Sequence, residues 1–412
     1  MILLLPGCPT TEANPTDGGV DSGVVDAGDP DAGAPDAGDP DAGDPDAGAP
    51  DAGAPDGAAS DAGPVVMADA VDLLFMVDTS GSMAEEQASL GAELPRLVTI
   101  LSTGDRTGDG PTSDDFRPVT SLHVGVVTSN MGVAGYAIPT CGAAPMFGDD
   151  GLLRTVGNTA VAGCSAVYPT FLEYVPGVSP QTPEAFGADF RCVATAGTYA
   201  YGCGFEQQLE STLKALTPSS SALTFLAGTH GHGDAENAGF LRPDSLLAVL
   251  LVTDEDDCSV AAGSEGIFDT SGSSGFTGDL NLRCFEYPGA RWPVARYVDG
   301  FKALRAGRPE LLVVGAITGV PADLVGAGTP DYSALLSDPR MVEAVDPSVP
   351  GAGRLVPSCN VPGRGVAFPP RRIVQVAEGF GDNGIVQSIC QESFTGALDA
   401  VIAKVAGTLG GV

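Results

Sequence analysis

The sequence predicts an α/β fold, a Rossmann-like open and mostly parallel sheet with helices on both faces and with disulfide-stapled loop insertions. Three observations carry this. Apolar runs at Val71–Val77, Leu122–Thr128, Leu246–Thr253 and Leu311–Thr318 are too continuous for strands with one wet face, and fit strands covered on both. Helix-like spacing lies between them, and strand-helix alternation is the order of a parallel sheet. Nine cysteines, none in a C-x-x-C pair, fall largely in the Gly- and Pro-rich stretches, as expected of disulfides in an exported protein.

Composition narrows the function classes. A chain of 412 residues with 43% apolar content can bury a large core. No run of 18 apolar residues occurs, so no transmembrane helix is expected. A formal charge of -34 argues against nucleic acid and against electrostatic binding to anionic lipid.

Residues 1–8 end in Leu5-Pro6-Gly7-Cys8, which resembles the end of a bacterial lipoprotein signal, where the Cys is lipidated. Seven residues are too few for a whole signal, so the start is expected upstream. Cys8 also explains the odd cysteine count. Residues 9–64 form a low-complexity linker centred on six five-residue units, Asp-Ala-Gly-Asp/Ala-Pro, from Asp26 to Pro55. With 14 acidic residues before position 65 and no base, the tract has little to bury and is expected to be disordered. It would span roughly 40 Å as a coil and up to about 170 Å as polyproline II.

The domain is expected over 65–412. After the first strand, Leu90, Leu94, Leu97, Val98 and Leu101 mark one face of a helix that Pro95 should kink or interrupt. After the second strand, whose His123 reads as structural, residues 129–204 show little periodicity and read as an excursion stapled by disulfides for want of its own core. Helices are expected at 205–216, 292–306, 335–345 and 394–409, and a Cys-bearing extension from about 320 to 412. The shortest pairings of eight cysteines are Cys141–Cys164, Cys192–Cys203, Cys258–Cys284 and Cys359–Cys390, among 105 formal connectivities.

The candidate site follows the first strand. Asp78, Ser80 and Ser82 form a D-x-S-x-S loop where open α/β sheets place ligands, and its oxygens suit a hard octahedral cation, Mg²⁺ first, with Mn²⁺ or Ca²⁺ as alternatives. Helix capping is the competing reading of the same residues. The loop resembles the metal-ion-dependent adhesion site of von Willebrand factor type A domains. That resemblance implies a Thr from a Gly-containing loop before the next helix, best met by Thr198 with Thr195 second, and an Asp after the later strand, met by Asp254. It covers residues 70 to about 320. It also implies a protein partner that caps the ion with an acidic residue, since one carboxylate and two hydroxyls leave the ion electron-poor. The loop is expected outside the core.

The function so implied is a metal-ion-dependent adhesion or scaffold module, exported and lipid-anchored to the bacterial envelope, at the outer membrane or cell surface rather than the inner membrane. A purely structural envelope protein is the alternative. An enzyme is disfavoured, because G-x-S-x-G and the phosphate loop are absent, Asp78-Thr79-Ser80 lacks the second Asp of the D-x-D that follows the first strand in aspartyl phosphotransferases, and no His is placed to serve Ser80 or Ser82. His230, His232 and Asp234 could hold a transition metal but read more simply as a loop. Because the Asp/Ala/Gly/Pro tract contributes no packing, deleting residues 10–64 should leave the melting temperature unchanged. A fall of several degrees in a thermal melt would show that the tract docks on the domain.

Overall fold

The computed structural model describes residues 68–110, 116–141, 146–197, 202–351, 353–362 and 365–409. Cys8, the 9–64 tract and Thr198 lie outside the described residues. Within them the α/β expectation holds. The strands are β1 (Ala70–Val77), β2 (Ser121–Thr128), β3 (Leu172–Tyr174), β4 (Leu246–Val252), β5 (Leu312–Thr318), the short ribbon β6 (Cys359–Val361) and β7 (Gly365–Ala367), and β8 (Gly384–Ser388). Six of them make one sheet in the order β3-β2-β1-β4-β5-β8, parallel throughout except where β3 pairs antiparallel with β2.

The helices are α1 (Ala84–Thr103), α2 (Pro183–Ala194), α3 (Gln208–Leu216), α4 (Arg283–Glu286), α5 (Val294–Leu304), α6 (Tyr332–Ser337), α7 (Arg371–Glu378) and α8 (Thr395–Thr408). The two-residue period of the strands sorts the core. Leu73, Phe75 and Val77 of β1 face α1, α2 and α8, while Leu74 and Met76 face α3, α5 and α7. The chain steps from β1 to β2 on one side, then returns to β4 on the other. The crevice between β1 and β4 is thus the point where strand order reverses.

Four expectations are corrected. First, α1 runs through Pro95 unbroken. The lost backbone bond is offset by packing, since Gly187 of α2 comes so close that a Cβ there would lie 2.4 Å from Pro95 Cα. Second, the 129–204 excursion does not lack a core. Its α2 is capped by the Thr182 hydroxyl and inserts Phe186 and Phe190 into the main core, and its β3 extends the sheet. Third, the helix expected at 335–345 ends at Ser337, where Asp338 and Pro339 start a separate 3-10 turn. Fourth, Cys258–Cys284 and Cys359–Cys390 pair as expected, but the others pair as Cys141–Cys203 and Cys164–Cys192. Sequence proximity fails there because the excursion doubles back. Cys164 meets Cys192 on α2, while Cys141 and Cys203, 62 residues apart, are brought together ahead of α3. The C-terminal stretch supplies β8 and α8, which complete the sheet and the core.

His123 is structural, its Nδ1 2.9 Å from the Phe240 carbonyl oxygen. His230, His232 and Asp234 do not meet as a metal site. His232 bonds Asp150 through Nε2 (3.0 Å) and Glu236 through Nδ1 (2.6 Å), while Asp234 accepts from the Ser219 amide. Lys214, fully buried, also donates to Asp150, at 2.5 Å. Burial pushes the His232 imidazole pKa down, but the bonds to Asp150 and Glu236 outweigh it and raise the pKa overall. A raised folded pKa gives stability that is complete below the ordinary imidazole value near ~6.5 and is lost as pH rises through the raised one. Between about pH 6 and pH 8 the wild type should therefore lose more stability than His232→Asn, by under about 1 kcal/mol for this half-buried group. Paired urea titrations at both pH values check this. Equal losses would assign His232 no role in the pH response.

Candidate functional site

β1 ends at Val77, and Asp78 is placed by its own amide, which donates to Val252 O at 3.0 Å across the β1–β4 crevice. The carboxylate is fully buried, contrary to the expectation that the loop lies outside the core. It accepts from the Ser80 amide (2.7 Å) and the Ser129 hydroxyl (3.1 Å) on Oδ1, and from the Thr253 hydroxyl (2.7 Å) on Oδ2. Ser129 follows β2 and Thr253 follows β4, so one carboxylate ties three strand ends. The Ser80 and Ser82 hydroxyls lie 3.0 Å apart. Ser80, although it precedes a helical turn, makes no side-chain capping bond, so capping does not account for its hydroxyl.

Asp254 lies directly after the β4 end, 1% exposed, and both its carboxylate oxygens are buried without a hydrogen-bond partner. Burial, then the charges of Asp78 and Glu255, drive its pKa well up, while the nearby Ser82 hydroxyl pulls the other way. Four of the five residues expected at the site are thus together. The fifth, Thr198, lies outside the described residues. Thr195 caps the C-terminus of α2, with its hydroxyl against Gly91 of α1.

The Gly-containing segment before α3 does reach the site. A Cβ on Gly202 would fall 2.1 Å from Thr79 O, so only glycine allows the approach. What this segment supplies among the described residues is a carboxylate that sequence reasoning missed. Glu206 is 3% exposed, its Oε2 has no partner, and burial followed by the charges of Asp78, Glu255 and Asp254 raises its pKa far above the usual carboxylate range. An acid just before a helix reads as an ordinary dipole partner, which hid it. Glu255 is the fourth member, pushed up to about 7 by burial and then by Asp78.

The next two acids show how local this is. Asp257 accepts from the Leu209 amide and the Ser259 hydroxyl and is paired with Arg372. Asp256 accepts from the Arg372 amide and lies 3.7 Å from Arg291. In the run Asp254-Glu255-Asp256-Asp257 the first two thus face the site, Asp257 holds neighbouring elements, and Asp256 does both, its Oδ1 bonded to the Arg372 amide and its Oδ2 unpartnered at the cavity.

The chain also carries its own control. Asp-Thr-Ser-Gly-Ser occurs at 78–82 and again at 269–273. In the second copy Asp269 accepts from the Ser271 and Ser274 amides and from the Ser271 and Ser273 hydroxyls. Those hydroxyl bonds lower its pKa, and its valences are filled locally. The same five residues close on themselves there, whereas at the end of β1 the Asp is bonded by Ser129 and Thr253 from other segments and lies beside the unpartnered oxygens of Asp254 and Glu206.

Above the cup lies a cavity of about 490 Å³. Ser80, Ser82, Glu206 and Glu255 line its floor, and Phe205, Phe285 and Phe368 its walls. Cys203, Cys258 and Cys284 also line it, so two disulfides brace these walls. Among the described residues no three His, Cys, Asp or Glu side chains already form a metal-holding group. The donor set for a cation would be mixed, two or three carboxylates with serine hydroxyls. Its fit rests on the buried, unpartnered oxygens of Asp254 and Glu206, which a divalent ion would satisfy. Compared with protein-family models and with curated proteins, the chain matches none.

Without a cation, the raised pKa values of Glu206, Asp254 and Glu255 mean that the folded protein holds protons the unfolded chain has released. Their favourable contribution is complete below the unfolded carboxylate values near ~4 and is lost as pH rises, for Glu255 through about 7. Chelator-treated protein should thus melt at a lower temperature at about pH 8 than at pH 5.5. Millimolar Mg²⁺ or Ca²⁺ should restore several degrees at the higher pH and little at the lower. Calorimetric scans at both values check it. An unchanged melting temperature at pH 8 with either ion would remove the cation from the site.

Proposed function

We propose that the chain is a metal-ion-dependent protein-binding module of the von Willebrand factor type A kind, a scaffold or adhesion protein rather than an enzyme. The observation that carries this is the pair of buried residues Asp254, with both carboxylate oxygens unpartnered, and Glu206, with Oε2 unpartnered, beside a serine-rich loop at the crevice. Uncompensated buried carboxylates are costly, and they persist where a ligand completes them. Mg²⁺ is the first choice of ion, held by Asp78, Asp254 and Glu206 with the Ser80 and Ser82 hydroxyls. Bound there, the ion would act as a Lewis acid that accepts an oxygen from a partner's acidic residue.

The protein's own residues do the rest. Ser129 and Thr253 orient the Asp78 carboxylate, and Gln87 fixes the loop by donating to Asp78 O at 2.6 Å. Glu206 makes the site more negative than the loop motif implied, so the ion alone attracts an anionic partner less strongly. The reading places the module on the bacterial envelope through lipidated Cys8, with the Asp/Ala/Gly/Pro tract as spacer.

Isothermal titration with Mg²⁺ tests the site. Asp78→Asn, preferred to Ala because the residue is buried and triply bonded, should abolish Mg²⁺ heat. Glu206→Gln, which removes one of the carboxylates holding the ion, should weaken binding by at least the roughly tenfold that even groups supporting a metal site contribute. Asp254→Asn should also weaken it. Circular dichroism verifies that each variant is folded. Equal affinity in all four proteins would mean that the loop is structural, and the adhesion reading would lose its basis.

A further inference from the structure

The cavity over the cup holds a second unfilled group, and it is of opposite charge. Arg291 lines the wall with a side chain 9% exposed. Its Nη1 is 3.7 Å from Asp256 Oδ2 and a long 3.5 Å from Asp257 O, and its buried Nε donor has no partner. A buried guanidinium so weakly engaged is an anion receptor, because a carboxylate would meet its fork with charge-assisted bonds. The other nearby arginines are committed: Arg372 to Asp257 and the Trp292 carbonyl, Arg354 to Asp346.

We propose that the cavity receives a short extended peptide of a partner protein carrying two carboxylates, one met at the Ser80–Ser82 loop and one at Arg291, with apolar side chains between them. The first anchor rests on the cation reading above, and the second does not. Three features select this ligand. The volume, about 490 Å³, lies in the range that encloses small ligands, so the floor is reached by an inserted segment and not by a flat protein face. The walls offer the rings of Phe205, Phe285 and Phe368 with Leu280 and Leu355, which match apolar side chains and not an all-polar ligand. And because Glu206, Glu255, Asp256 and Glu343 also face the cavity, a ligand carboxylate is welcome only where a cation or a guanidinium offsets them.

The probe is a fluorescein-labelled peptide, Gly-Asp-Leu-Phe-Asp amide, titrated with the full chain in millimolar Mg²⁺ and followed by anisotropy. Asp-to-Asn replacement at either end of the peptide should weaken binding about tenfold, and Gly-Gly for Leu-Phe by a similar factor. Arg291→Gln should abolish the Asp/Asn discrimination at one end only and leave Mg²⁺ uptake unchanged by calorimetry. Arg291→Lys, which keeps the charge without the fork, should retain part of it and guards against misfolding of the Gln variant. If Mg²⁺ still binds but Asp and Asn peptides bind alike, or if Arg291→Gln keeps full discrimination at both ends, the two-anchor peptide is overturned and the cation reading stands. Arg291-dependent discrimination with no Mg²⁺ uptake would overturn the cation reading and the first anchor together.

Discussion

The architecture of the site depends on one buried carboxylate. Asp78 sits where β1 stops, and the hydroxyls that bond it come from the segments that follow β2 and β4. Thr253 in turn accepts from Gln208 at the start of α3, and Ser211 of that helix donates to Thr128 O at the end of β2. Burial raises the Asp78 pKa, and the bonds from Ser80, Thr253 and Ser129 oppose the rise without cancelling it. Register between β1 and β4 is thereby coupled to the loop: a one-residue slip would move Thr253 off Asp78 and turn every core side chain to the other face.

Around that centre the acids divide by what meets them. Asp257 is met by Arg372 and the Leu209 amide, and Asp256 on one oxygen by the Arg372 amide, so they dock α3 and α7 against the end of β4, while Asp256 Oδ2 has only the distant Arg291. Both carboxylate oxygens of Asp254 and the Oε2 of Glu206 are buried without a hydrogen-bond partner. Folding free energy of about a few kcal/mol is withheld here, which is a common way for a stable scaffold to hold a site ready. The bracing disulfides act on the same principle, since walls tethered by Cys141–Cys203 and Cys258–Cys284 need little reordering when something enters.

Much of this is legible in the sequence, and the exceptions have physical causes. β1, β2, β4 and β5 stand out because strands buried on both faces must be apolar throughout. α2 went unread, because residues 129–204 show little periodicity and its interior Gly187, demanded by contact with Pro95, weakens the helical pattern of Phe186 and Phe190. β3 and β8 are too short to signal themselves. Asp78, Ser80, Ser82 and Asp254 were visible because a strand end gave their residue types a place. The twin pentapeptide at Asp269 shows that residue types alone would not have sufficed. Glu206 had no such marker, since nothing in a sequence tells a buried acid from a solvated one at the start of a helix.

The sixth strand has a consequence for how the chain acquires its fold. β8 and α8 come from residues 384–408, yet β8 zips onto β5, and Leu398, Val401 and Val405 of α8 share a core with Leu94 and Leu97 of α1, some 300 residues earlier in the chain. Contacts of such sequence separation form late, because the intervening loop must close before they stabilise anything. Until the last helix has emerged, one face of α1 has no cover, and a chain interrupted before residue 384 presents a bare edge at β5. Such a topology makes closure of the sheet and of the core around α1 wait for the last segment of the chain.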